Sequence, residues 1–118
     1  MLGAIGDLVD FLFSDRIAHD PALLVPKRWD PATALAGLRA AREAIAANGR
    51  VPFEHTTIEG LLRGLAETRG WKAGDLFMAI RVALTGRTAT PPLFESMVAL
   101  GYERTLERLD AAIAVLAA

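Results

Sequence analysis

At 118 residues with a formal net charge of −1, the chain has room for one domain and lacks the strong positive charge of modules that grip a duplex through its phosphates. It contains no cysteine, which excludes disulfides and thiolate metal sites and fits a cytoplasmic protein. No apolar run approaches the roughly 20 residues that span a bilayer, Met1–Gly6 has no basic segment of the signal-peptide kind, and the Ala- and Leu-rich composition without alternating β-branched runs favours helices.

Taken from the N-terminus, Leu2 to Phe13 reads as a short amphipathic helix with Ile5, Leu8, Val9, Leu12 and Phe13 on one face. The expectation is that residues 1–27 are the end of a preceding helical unit and a connector, and that 28–118 form the main domain. Asp20–Pro21 supplies an N-cap and a first-turn proline, so a short helix over Pro21–Leu24 is predicted, ended by Pro26. Asp30–Pro31 repeats the signal, and Leu35, Leu38, Ala41, Arg42 and Ile45 follow at helical spacing before Asn48–Gly49. Thr56-Thr57-Ile58-Glu59 fits a capping box, with Ile58, Leu61, Leu62, Leu65 and Ala66 as the inner stripe. Gly60 and Gly64, four apart, are expected to admit a neighbouring helix closely.

The next helix, predicted over Asp75–Thr85, is apolar around most of its circumference and carries one cation, Arg81; it should be buried on several sides. Gly86 stops it. Thr90–Pro91 reads as a cap and first helical proline for a helix that ends at Gly101. Tyr102–Leu116 closes the chain, with Leu106, Leu109, Ile113 and Leu116 inward and the Glu103/Glu107 and Arg104/Arg108 pairs on the outer face. The fold class expected is all-α, a compact bundle or cage of six to seven helices.

The chemistry-bearing candidates cluster around this glycine-to-proline turn. Arg81 has two readings. Its planar donors suit the acceptor edge of an unstacked base, but a half-buried arginine is also the usual partner of an acid, here one such as Asp75 or Glu95, or a cap on helix carbonyls. Thr90, Pro91, Leu93 and Phe94 form a capped helix start, where free N–H groups meet an apolar face on which a base can stack. His19 and His55 lack metal-ligand spacing, no nucleophile–base arrangement is visible, and GRTATPP is no phosphate loop. From Leu61 to Phe94 the charges are Arg63, Arg69, Lys72, Arg81 and Arg87 against Glu67 and Asp75. A locally basic module of this kind can read a few splayed bases without being basic throughout.

RVALTG at 81–86, TPPLFESMVALG at 90–101 and ERTLERL at 103–109 resemble the C-terminal anticodon-binding domain of bacterial glutamyl-tRNA synthetases. DFLFSD, PALLVPKRWD and IEGLLRGLAETRGWKAGDLF follow the same family in order, so the resemblance covers nearly the whole chain. It implies that Arg81, Thr90, Pro91, Leu93 and Phe94 are the anticodon-binding residues. It implies a tRNA-Glu anticodon loop as partner, with the catalytic and helical domains of a parent synthetase alongside, and neither DNA nor membrane. The HIGH-like and KMSKS-like ATP motifs are absent from this sequence. The resemblance therefore assigns adenylation, with its ATP and Mg2+, to another domain and no cofactor to this one. The arginine that reads the first anticodon base is expected upstream of Met1. A helical protein-interaction module of the same ancestry, without RNA binding, is the rival reading; the negative net charge and the apolar tail AAIAVLAA favour it.

Overall fold

The computed structural model describes residues 20–49, 53–86 and 92–117. They form six helices and no strand: α1 Pro21–Leu24, α2 Pro31–Asn48, α3 His55–Arg69, α4 Ala73–Thr85, α5 Leu93–Leu100 and α6 Tyr102–Ala117. The all-α expectation holds. The expected helix at Leu2–Phe13 lies outside the described residues.

Both Asp–Pro starts act as the spacing predicts. The Asp20 carboxylate accepts from the Ala22 N–H at 3.0 Å and Asp30 from the Thr33 N–H at 2.7 Å, each with proline in the first turn. Hydrogen bonding by Thr33, side chain first and backbone N–H second, holds the Asp30 carboxyl below its usual range. A depressed carboxylate stabilises the fold above the unfolded-state value and loses that contribution as pH falls through the folded-state value. Asp30→Asn keeps an oxygen acceptor that does not titrate. The variant is therefore expected to show a shallower fall in urea midpoint than wild type below about pH 4. Parallel acid profiles for the two proteins would remove Asp30 as a source of that dependence.

α4 sits at the centre. It touches each of the other five helices, and Leu76, Ala79, Ile80, Val82, Ala83 and Leu84 are fully buried, as the apolar circumference requires. It begins at Ala73, two residues ahead of the predicted Asp75, and ends where Gly86 turns left-handed at φ 76°. The longest lateral packing is α2 against α6, laced at the rim by Arg42, whose Nε donates to Asp110 Oδ1 at 2.9 Å, and by the Tyr102 hydroxyl on the Ala46 carbonyl at 3.4 Å.

Gly37 is where α2 meets the aromatic cover of the core. A Cβ there would stand 2.8 Å from Trp29 Cζ3, and the Trp29 ring is itself packed on Trp71, centroids 5.4 Å apart. Alanine gains about 1 kcal/mol of helix propensity over glycine, but overpacking a filled site costs about 1–3 kcal/mol. Gly37→Ala is expected to destabilise by about 1 kcal/mol on balance, read by urea denaturation. A stabilised variant would mean that Trp29 moves aside freely.

Three local expectations are corrected. The capping box at Thr56–Glu59 does not form: α3 starts at His55 with Glu54 as N-cap and no side-chain cap bond. The Glu59 carboxylate is engaged forward by Arg63 and back by the His55 ring, not by the backbone. Gly60 and Gly64 face open space, with nothing near the position of an added Cβ, because the side of α3 packed on the core is the one bearing Ile58, Leu62 and Ala66. Finally, α5 begins at Leu93 and not at Pro91, since Pro92 holds an extended ψ of 132°. A residue followed by proline avoids the α region, so a Pro–Pro pair favours the later start.

Candidate nucleic-acid interface

The site grows from the crossing of α3, α4 and α5. On α4, Phe77 and Arg81 are four residues apart and therefore share a face. Phe77 meets Phe94 of α5 edge-on, with centroids 5.1 Å apart and planes at 90°. Leu93 and Phe94 are both buried, Phe94 at 9 % exposure. The expectation that Phe94 turns a free ring face outward is corrected, because its ring is enclosed in the α3–α4–α5 contact. It forms the floor of the site.

Arg81 stands one turn along α4 from Phe77. Its Nε is buried and has no hydrogen-bond partner. Among the described residues no ion pair reaches it, so the alternative partners Asp75 and Glu95 are not used. A buried guanidinium N–H without an acceptor is costly, and such groups call for an explanation in the form of an ion, water or ligand. The backbone beneath it is fixed: the Thr85 hydroxyl donates to the Arg81 carbonyl at 2.8 Å. On α5 the Ser96 hydroxyl likewise donates to the Pro92 carbonyl at 2.9 Å. Of the five sequence-predicted site residues, Arg81 lies on α4 one turn from Phe77, Leu93 and Phe94 are buried at the start of α5, and Thr90 and Pro91 lie outside the described residues.

Sequence reasoning missed the groups that surround this floor. His55, Glu59 and Arg63 run along α3 at four-residue intervals. Arg63 Nε donates to Glu59 Oε2 at 2.8 Å, and its guanidinium lies over the Phe77 ring, 5.2 Å from the centroid. Hydrogen bonding from Arg63, with a smaller contribution from its charge and that of His55, holds the Glu59 carboxyl below its usual range. Their spacing showed that these three share a face. Nothing in it showed that the face meets α4 and α5. The other omission is Arg108 on α6, expected outside but buried at 7 % exposure. Its Nη1 donates to the Leu84 carbonyl at 2.8 Å, closing the end of α4 that carries Arg81.

Comparisons with known proteins bear on the family and the fold. A family model described as an anticodon binding domain matches residues 1–113. The chain is 50% identical over 117 residues to a glutamate–tRNA ligase of Roseiflexus castenholzii, covering 99% of this chain and 23% of that protein. It is 44% identical over 113 residues to the Chloroflexus aurantiacus ligase, covering 93% of this chain and 22% of the relative. Among solved structures, a glutamate tRNA ligase from Elizabethkingia meningosepticum, in complex with its amino acid, superposes with a TM-score of 0.81 at 27% identity. That match covers 98% of this chain and 22% of the other. The chain thus spans less than a quarter of the length of these relatives.

Proposed function

The chain belongs to the anticodon-binding domain family, and from that membership we propose that it reads the anticodon loop of tRNA-Glu as part of a glutamate–tRNA ligase. In this reading the loop opens and its second and third anticodon bases, pyrimidines, enter the mouth between Gly86 and Phe94. Arg81 donates to the acceptor edge of one of them, and Thr90, Pro91, Leu93 and Phe94 line the remainder. Residues 1–27 are read as the end of a preceding helical unit and a connector, and 28–118 as the anticodon-binding domain itself. The parent ligase, using ATP and Mg2+, would activate glutamate elsewhere; this domain contributes the choice of tRNA.

The observation that carries the proposal is the Arg81 Nε, a buried donor with no acceptor on the helix face shared with Phe77. Sequence-specific RNA recognition takes place on unstacked bases, and a base carbonyl or ring nitrogen is an acceptor of the kind this donor lacks. The test is a titration at low salt with a tRNA-Glu anticodon stem-loop and with the same stem-loop carrying replaced second and third anticodon bases. Preference for the native loop is expected. Equal affinity for both loops, or no affinity for either, overturns the base-reading role.

A further inference from the structure

Phe94 is enclosed, but the ring laid against it is not. The His55 imidazole lies nearly parallel to Phe94, planes 13° apart and centroids at 5.9 Å, and its side chain is 48% exposed. The ring is also held at its edge, with Nε2 3.4 Å from Glu59 Oε1. The other oxygen of that carboxylate binds Arg63, which covers Phe77, which in turn abuts Phe94. Four planar groups thus form one wall, and Glu59 ties its two exposed ends together.

We propose that His55 is a further base-binding residue, whose outer imidazole face stacks an unstacked loop base beside the second and third anticodon bases, one of which Arg81 reads. This rests on the anticodon-loop reading above. Bases splayed from single strands stack on aromatic side chains, histidine included. Such stacking tolerates any base, since every base has a π-face. His55 therefore adds affinity, while the Arg81 donor adds discrimination. Its ring is already fixed between Phe94 and Glu59, so little rotamer freedom is lost when a base arrives.

The experiment titrates wild type, His55→Ala, His55→Phe and Arg81→Ala with the tRNA-Glu anticodon stem-loop. It adds a set of stem-loops in which one loop nucleotide at a time is abasic. His55→Ala is expected to weaken binding about fivefold or more, without changing the preference for the native anticodon, and His55→Phe to stay within about twofold of wild type. One abasic position, other than the second and third anticodon bases, should reproduce the loss in wild type and add none in His55→Ala. Wild-type affinity in His55→Ala, or an equal loss in His55→Phe, overturns the stacking role while leaving the Arg81 reading intact. Equal affinity of wild type for native and base-replaced loops, or no binding by wild type, overturns the anticodon-loop reading and this inference with it. Circular dichroism of the variants separates either result from unfolding.

Discussion

Truncating the buried Arg108 to alanine is expected to lower the unfolding free energy by about 2–4 kcal/mol. Three effects set the magnitude. The guanidinium donates to the Leu84 carbonyl, one of the last carbonyls of α4, which have no partner inside the helix; removing a charged donor from a buried acceptor costs about 1–3 kcal/mol. A cation at a helix C-terminus also gains about 0.3–1 kcal/mol from the helix dipole. The aliphatic stem, buried with the rest of the residue, adds packing that alanine forfeits. Working against these, burial disfavours the charge: desolvation, and then the nearby Arg104, push the Arg108 pKa down. Replacing a buried charge with an apolar group recovers part of that cost.

Arg108→Met separates the terms, since it keeps most of the stem and removes the donor. Its urea midpoint should fall between those of wild type and Arg108→Ala. If Met matches wild type, the bond to Leu84 contributes nothing net and the residue acts by packing alone. If Ala matches wild type, Arg108 is solvated in solution. The bond also has a positional consequence. Leu84 lies in the last turn of α4 and Arg81 three residues before it, so loosening this turn loosens the Arg81 backbone.

Arg108 also shows where the sequence stopped being informative. The residues of α6 that are buried are Thr105, Arg108, Leu109 and Ala112, a regular helical stripe. Reading Leu106, Leu109, Ile113 and Leu116 as the inner face turned the helix by part of a turn, because hydrophobicity was given priority over spacing. Those three besides Leu109 are only half-buried, and an arginine occupies the stripe because the end of α4 presents a carbonyl there. That acceptor belongs to tertiary structure, and no local pattern announces it. Helix starts behaved in the same way. Asp20 and Asp30 were legible because cap and proline are adjacent in sequence and their effect is local. The Thr56–Glu59 pattern was equally local, yet Glu59 had competing partners in His55 and Arg63, and the helix began ahead of it. The core helix α4 was legible from its apolar circumference, and Arg81 from its place as the cation within it. The wall of His55, Phe94, Phe77 and Arg63 was not, since it joins three helices whose crossing the sequence does not specify.

Arg81→Ala is expected to weaken binding of the native anticodon stem-loop by about 1–3 kcal/mol, the range for one good bidentate contact to a base edge. It should weaken binding of loops with replaced anticodon bases far less. The difference between loops is the informative quantity. A guanidinium that merely attracts phosphate would lose affinity uniformly and reduce the salt dependence by about one contact. A guanidinium aimed at a base edge loses discrimination. The folded protein is expected to tolerate the change, because Arg81 Nε has no partner to abandon and a buried unpaired donor is a cost in the free state. The urea midpoint of Arg81→Ala should therefore remain near wild type or rise as anticodon discrimination falls. That opposition between stability and function is what a structural arginine cannot produce. Had Arg81 been held by an acid such as Asp75 or Glu95, its removal would lower stability and leave the preference among loops unchanged. Arg81→Lys refines the point, since an ammonium keeps the charge but not the planar fork. Binding that survives in Lys without anticodon preference would identify the fork geometry, beyond the charge, as what reads the base.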